Sequence, residues 1–154
     1  MLDVTMFDRY YDELEVGDRR IFRGITVTES HIVGFAGLTG DHYVLHTDAE
    51  YASTTPFGQR IAHGLLILSL GAGLIPLEPG RVVALLGLED VRFTAPTFIG
   101  DTVHPEMEIV SKTDKEPGGL VIVDETIRNQ RDQTVCTARL RVLLAASPKL
   151  ASQP

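Results

Sequence analysis

Between residues 63 and 77 the chain runs for 15 residues without a charged side chain, and Leu65, Leu66, Ile67, Leu68, Leu70, Leu74 and Ile75 within it are large and aliphatic. At 3.6 residues per turn they cover nearly the whole circumference of a helix, so no broad polar face remains for solvent. The run is shorter than the roughly 20 residues that cross a hydrocarbon core. It therefore reads as a buried helix, which other elements must wrap. Gly71 and Gly73 lie inside it, where each costs about 1 kcal/mol relative to Ala; close packing against a neighbour is the compensation expected, with a role in shaping a ligand tunnel as the alternative.

The wrapper follows downstream. Residues 81–93, 102–112, 119–129 and 134–144 are four segments rich in Val, Ile and Thr, separated by Pro96 with Gly100-Asp101, by Glu116-Pro117-Gly118-Gly119 and by Gln130-Arg131-Asp132-Gln133. Such breaks join antiparallel neighbours. Upstream, a turn at Leu14-Glu15-Val16-Gly17-Asp18 precedes a strand over residues 19–27. Thr28 then caps a helix with an apolar stripe of Ile32, Phe35, Ala36 and Leu38, which Gly40 stops. Thr47 or Asp48 caps a short helix through Tyr51, and after the turn Thr55-Pro56-Phe57-Gly58 the apolar helix is expected to begin at Arg60. Strand, helix, helix and four strands make an α+β domain rather than an alternating one.

Directly after the first helix, Asp41 and His46 stand five residues apart. In a helix that spacing turns the two side chains roughly 140° apart, and in a strand it sends them to opposite faces. They converge best from a loop, where a carboxylate and an imidazole together suggest acid–base chemistry. His42 and His46, with Asp41 and Asp48, also raise a metal site, which the need for an irregular loop and the lack of a further Cys or His cluster argue against. His63 reads as ordering the start of the apolar helix, and His31 and His104 as ordinary polar residues.

The 154 residues fit one domain, 1–154 with a core of about 14–145, large enough to bury roughly two thirds of its unfolded surface. A net charge of −7 argues against a nucleic-acid partner. The single Cys136 excludes an intrachain disulfide, and Met1-Leu2-Asp3-Val4 lacks the basic start of a secretion signal. A cytoplasmic setting is the simplest reading. The tail from Ser147 is small and polar enough to fray.

Phe35-Ala36-x-x-Thr39-Gly40-Asp41-x-x-x-x-His46-x-Asp48, then Tyr51-Ala52, Phe57-Gly58-x-x-Ile61-Ala62-His63-Gly64 and Val91-Arg92-Phe93-x-x-Pro96-x-x-x-Gly100-Asp101, together resemble the MaoC-like family of (R)-specific enoyl-CoA hydratases. The resemblance implies a hot-dog fold, an antiparallel sheet wrapped around the central apolar helix. It implies a homodimer or higher homo-oligomer with edge-to-edge sheets. It also implies an acyl-CoA thioester substrate, to whose trans-2-enoyl group water is added to give a (3R)-hydroxyacyl product, or the reverse. No metal or redox cofactor is implied, coenzyme A serving only as the carrier. By resemblance Asp41 and His46 hold the water, and the N–H of Gly64 faces the thioester oxygen, where the enolate charge develops.

The chain departs from that pattern where Tyr43-Val44 replaces the usual Asn-Pro between Asp41 and His46, and Ala72 stands where some relatives carry a small polar residue. Arg92 is open between the phosphates of coenzyme A and an ordinary strand position, as are Arg60, Arg81, Lys112 and Arg128. A hot-dog thioesterase, which has no evident need for the Asp41 and His46 pair, and a non-catalytic acyl-thioester-binding module are the alternatives.

Overall fold

The computed structural model describes residues 6–148. After a single 3₁₀ turn at Tyr11–Glu13, the chain forms β1 (Arg19–Ile21), β2 (Ile25–Thr26), α1 (Glu29–Thr39), α2 (Val44–Thr47), α3 (Ala49–Ser53), α4 (Gly64–Gly73), β3 (Val82–Phe93), β4 (Thr102–Lys115), β5 (Gly118–Asn129) and β6 (Thr134–Ala145). One antiparallel sheet runs β1-β4-β5-β6-β3, with β2 also on β4. The α+β hot-dog fold expected from the sequence is present.

Alternation along the long strands builds the core. Val103, Met107 and Ile109 of β4, Val121, Val123 and Ile127 of β5, and Ala138, Leu140, Val142 and Leu144 of β6 are buried and share one cluster with Leu66, Ile67 and Leu68 of α4. Gly71 makes the contact close, because a Cβ there would stand 2.5 Å from Ile127 Cδ1. Packing is thus the compensation for a glycine in this helix. The sheet covers only part of α4: Leu65 remains 59% exposed, and Val83, Leu85, Leu86 and Leu88 of the terminal strand β3 are also exposed.

Two boundaries differ from the sequence reading, each through a long-range contact. The first strand is broken into β1 and β2. Ile21 and Ile25 are four positions apart where their partners Glu106 and Val103 are three apart, and Phe22 donates to the carbonyl of Pro105, which has no N–H to return. The apolar helix starts at Gly64 rather than Arg60, because Ile61 bridges Phe98 and the Ala62 N–H bonds to Thr97 O at 2.8 Å, holding the segment extended. In α1, Ile32 and Ala36 are buried as expected, whereas Leu38 faces solvent.

No helix among the described residues is long and apolar enough to cross a membrane. Met1-Leu2-Asp3-Val4 and the tail from Lys149 lie outside the described residues. Ser147, where fraying was expected, is tied down: its N–H and hydroxyl both bond to the Asp12 carboxylate at 2.6 Å.

Candidate active site

Asp41 emerges from the end of α1. Gly40 caps that helix in the left-handed region at φ 78°, its N–H on Ala36 O. The Thr39 hydroxyl accepts the Asp41 N–H, and Asp41 Oδ1 accepts the N–H of Tyr43, each at 3.2 Å, so the carboxylate folds its own turn. His46 sits on α2, a single helical turn, rather than in irregular loop. The Thr47 hydroxyl closes this turn against the carbonyls of His42 and Tyr43.

The Tyr43-Val44 departure keeps the shape that a proline imposes. Val44 is the first residue of α2, and Tyr43 before it has φ −55° and ψ 132°. The first helical position suits proline, and the extended conformation is the one required of its predecessor.

His46 Nδ1 lies 2.7 Å from Ile61 O. A carbonyl can only accept, so Nδ1 carries a proton, and in the neutral ring Nε2 keeps a lone pair. One ligand atom of Asp41, one of His46 and one of His63 lie within 4.8 Å of each other, a span that one water bridges with bonds of about 2.8 Å. His46 and Gly64 share the lining of a pocket of about 320 Å³ whose apolar walls include Phe57, Ile67, Phe93, Pro96 and Val135.

Gly64 opens α4, and no side chain caps that helix, which leaves its first-turn N–H groups for a ligand or water. The space left by the missing side chain is met by an aromatic ring, since a Cβ on Gly64 would stand 2.8 Å from Phe93. Phe93, read in the sequence only as part of a strand motif, is thereby a wall of the pocket.

His63 has a larger place than its sequence reading. Its side chain does not cap α4. It is 2% exposed, its Nε2–H donates to the main-chain carbonyl of Asp41 at 3.0 Å, and its ring stacks on His46 with centroids 3.9 Å apart and planes at 31°. Burial pushes its pKa down, favouring the neutral ring. The metal set considered in the sequence does not assemble. Asp48 caps α3 by accepting the Tyr51 N–H, and the set that converges contains His63 in place of His42.

The remaining candidates lie elsewhere. Arg60 forms a bidentate pair with Glu29, Arg128 pairs with Glu106, Arg81 covers Tyr10, and Lys112 covers Tyr11 and donates to Leu14 O. Arg92 lines a separate groove with Asp90, Asp124 and Arg139. His31 accepts the Thr28 N–H at the start of α1, and His104 lies 3.5 Å from Glu106. Cys136 is buried, its thiol pushed up to about 11 by burial and then by the charge of Glu125, so it is not a ready nucleophile.

Comparison with known proteins places this geometry in context. Residues 13–130 match the MaoC like domain family. A 3-hydroxybutyryl-CoA dehydratase of Methylorubrum extorquens is 36% identical over 100 residues, 65% of this chain and 63% of that protein. An (R)-specific enoyl-CoA hydratase of Aeromonas caviae is 36% identical over 106 residues, 68% of this chain and 77% of that one. The structure of an Archaeoglobus protein described as a monoamine oxidase regulatory protein superposes with a TM-score of 0.85 at 38% identity, covering 91% of this chain and 96% of that one. The chain spans from 33% to 77% of the length of the curated relatives it resembles.

Proposed function

Because the chain belongs to the family of MaoC-like domains, we propose that it is a hydratase or dehydratase acting on an acyl-CoA thioester, with Asp41, His46 and the Gly64 N–H as its reacting groups. One observation carries the reading: Asp41 and His46 offer polar atoms within one water's reach, and His46 shares an apolar pocket with the uncapped start of α4. In the hydration direction the water oxygen bonds to C3 of the trans-2-enoyl group. One member of the pair takes the water's proton and a proton returns to C2. The lone pair on His46 Nε2 suits that group to accepting. Charge that develops on the thioester oxygen meets the Gly64 N–H in the positive field of the helix start.

The reaction as written needs no metal or redox group. The exposed apolar residues of β3 and Leu65 of α4 support a homodimer formed along this edge. Asp41→Asn and His46→Gln are expected to keep the fold and abolish hydration of crotonyl-CoA or a better enoyl-CoA. Near-wild-type turnover in both variants rules the reading out. Release of free thiol from saturated acyl-CoA would favour a thioesterase instead.

A further inference from the structure

We propose that His63 is the positioning residue of this site, a buried imidazole that holds Asp41 and His46 in register with the start of α4. The proposal rests on the hydratase reading for the identity of the reacting groups and on contacts of His63 that neither sequence spacing nor the proposed chemistry requires. His63 touches all three parts of the site. Its Nε2–H holds the main-chain carbonyl of Asp41, its ring face lies on His46, and its peptide bond leads directly into Gly64.

The stack adds to the other contacts of His46. A hydrogen bond from His46 Nδ1 to Ile61 O fixes one direction of the ring, and the Tyr43 ring meets it edge-on with centroids 5.9 Å apart. A second ring at 3.9 Å sets the plane, and with it the aim of Nε2 toward the water. Phe35, its ring 5.0 Å from His63 on the α1 side, keeps that second ring in place. His63 can do this without entering the proton transfer. Its Nδ1 is buried and has no hydrogen-bond partner among the described residues, and its ring faces the titratable groups Asp41, His42 and His46 while burial favours its uncharged form.

Two substitutions separate the contacts. His63→Phe keeps an aromatic face against His46 and removes the donor to Asp41, and His63→Gln keeps a donor and removes the face. The full chain is compared by thermal unfolding, by kcat and KM on crotonyl-CoA, and by long-range proton–nitrogen NMR of the His46 ring. Both variants are expected to melt near wild type. KM stays within about 2-fold while kcat falls by up to ~100-fold, the scale on which a displaced reacting group costs rate. The His46 nitrogen spectrum changes most in His63→Gln.

An unchanged His46 spectrum together with wild-type kcat in the folded variants overturns the proposal, and so does a loss of rate that only follows loss of folded protein. Should one variant fail to fold, the other carries the test. The NMR comparison needs no substrate, so a wild-type chain that hydrates no thioester refutes the hydratase reading and leaves the positioning role to be decided by the spectrum.

Discussion

The carboxylate of Glu125 on β5 lies directly beneath Gly71 of α4, with Oε1 3.0 Å from where a Cβ on that glycine would stand. Glu125 is 2% exposed, and neither oxygen has a hydrogen-bond partner among the described residues. Its carboxyl is pushed up to about 7 by burial, because the interior penalises the charged form.

Stability is therefore expected to fall as pH rises from the ordinary carboxyl range to about 7. Below the ordinary carboxyl range both folded and unfolded chains carry the proton, and Glu125 has no effect on the balance. As pH rises from there to about 7 the unfolded chain ionises first and gains. Above 7 both states are ionised and the cost is constant, on the order of 3 kcal/mol. Glu125→Gln removes this loss. Urea midpoints at pH 5 and pH 8 should differ less in the variant than in wild type, and equal differences would show that the carboxyl ionises as freely inside as outside.

Gly71→Ala tests the same contact by volume. The added methyl meets Ile127 Cδ1 at 2.5 Å and Glu125 Oε1 at 3.0 Å. Overpacking of a core costs about 1–3 kcal/mol, against the roughly 1 kcal/mol that Ala gains over Gly in a helix. A net loss in chemical denaturation is expected. Gly73→Ala, where a Cβ meets nothing within 4 Å, provides the control that keeps only the helix gain.

Much of this was legible in the chain itself, and what was not has a common cause. The four downstream strands begin and end close to the expected residues because alternation and turn residues are local signals, and Gly40 ends α1 in the left-handed conformation expected of it. Arg60 to His63 read as helix because nothing nearby shows that Thr97 and Phe98 will pair with Ala62 and Ile61. His63 read as a helix start because its partner Asp41 lies 22 residues upstream. Glu125 did carry a signal. Val121, Val123, Glu125 and Ile127 alternate strictly, which places the carboxylate on the core face.

Val44→Pro is expected to stabilise the chain by about 0.4–1 kcal/mol through the unfolded state, with activity retained. Val44 is the first residue of α2, and Tyr43 already holds the extended geometry that a following proline demands. A raised melting temperature with unchanged kcat is the expected result. A destabilised or inactive variant would show that His46 needs a turn other than the one proline imposes.

Gly64→Ala is expected to lower kcat/KM on crotonyl-CoA by about 10²-fold, the scale set by loss of one hydrogen-bond donor to a developing oxyanion. Gly64 is not in the left-handed region, so Ala meets no backbone penalty there; its methyl meets the Phe93 ring at 2.8 Å instead. Phe93 is 50% exposed and has room to swing aside, so the loss of rate should come with little loss of stability. The double variant with Phe93→Ala separates two causes. If the methyl acts only by pushing Phe93 into the pocket, removing the ring restores rate; if it blocks approach of the thioester oxygen to the Gly64 N–H, rate stays low. The second outcome is expected, and full recovery would remove Gly64 from the set of reacting groups.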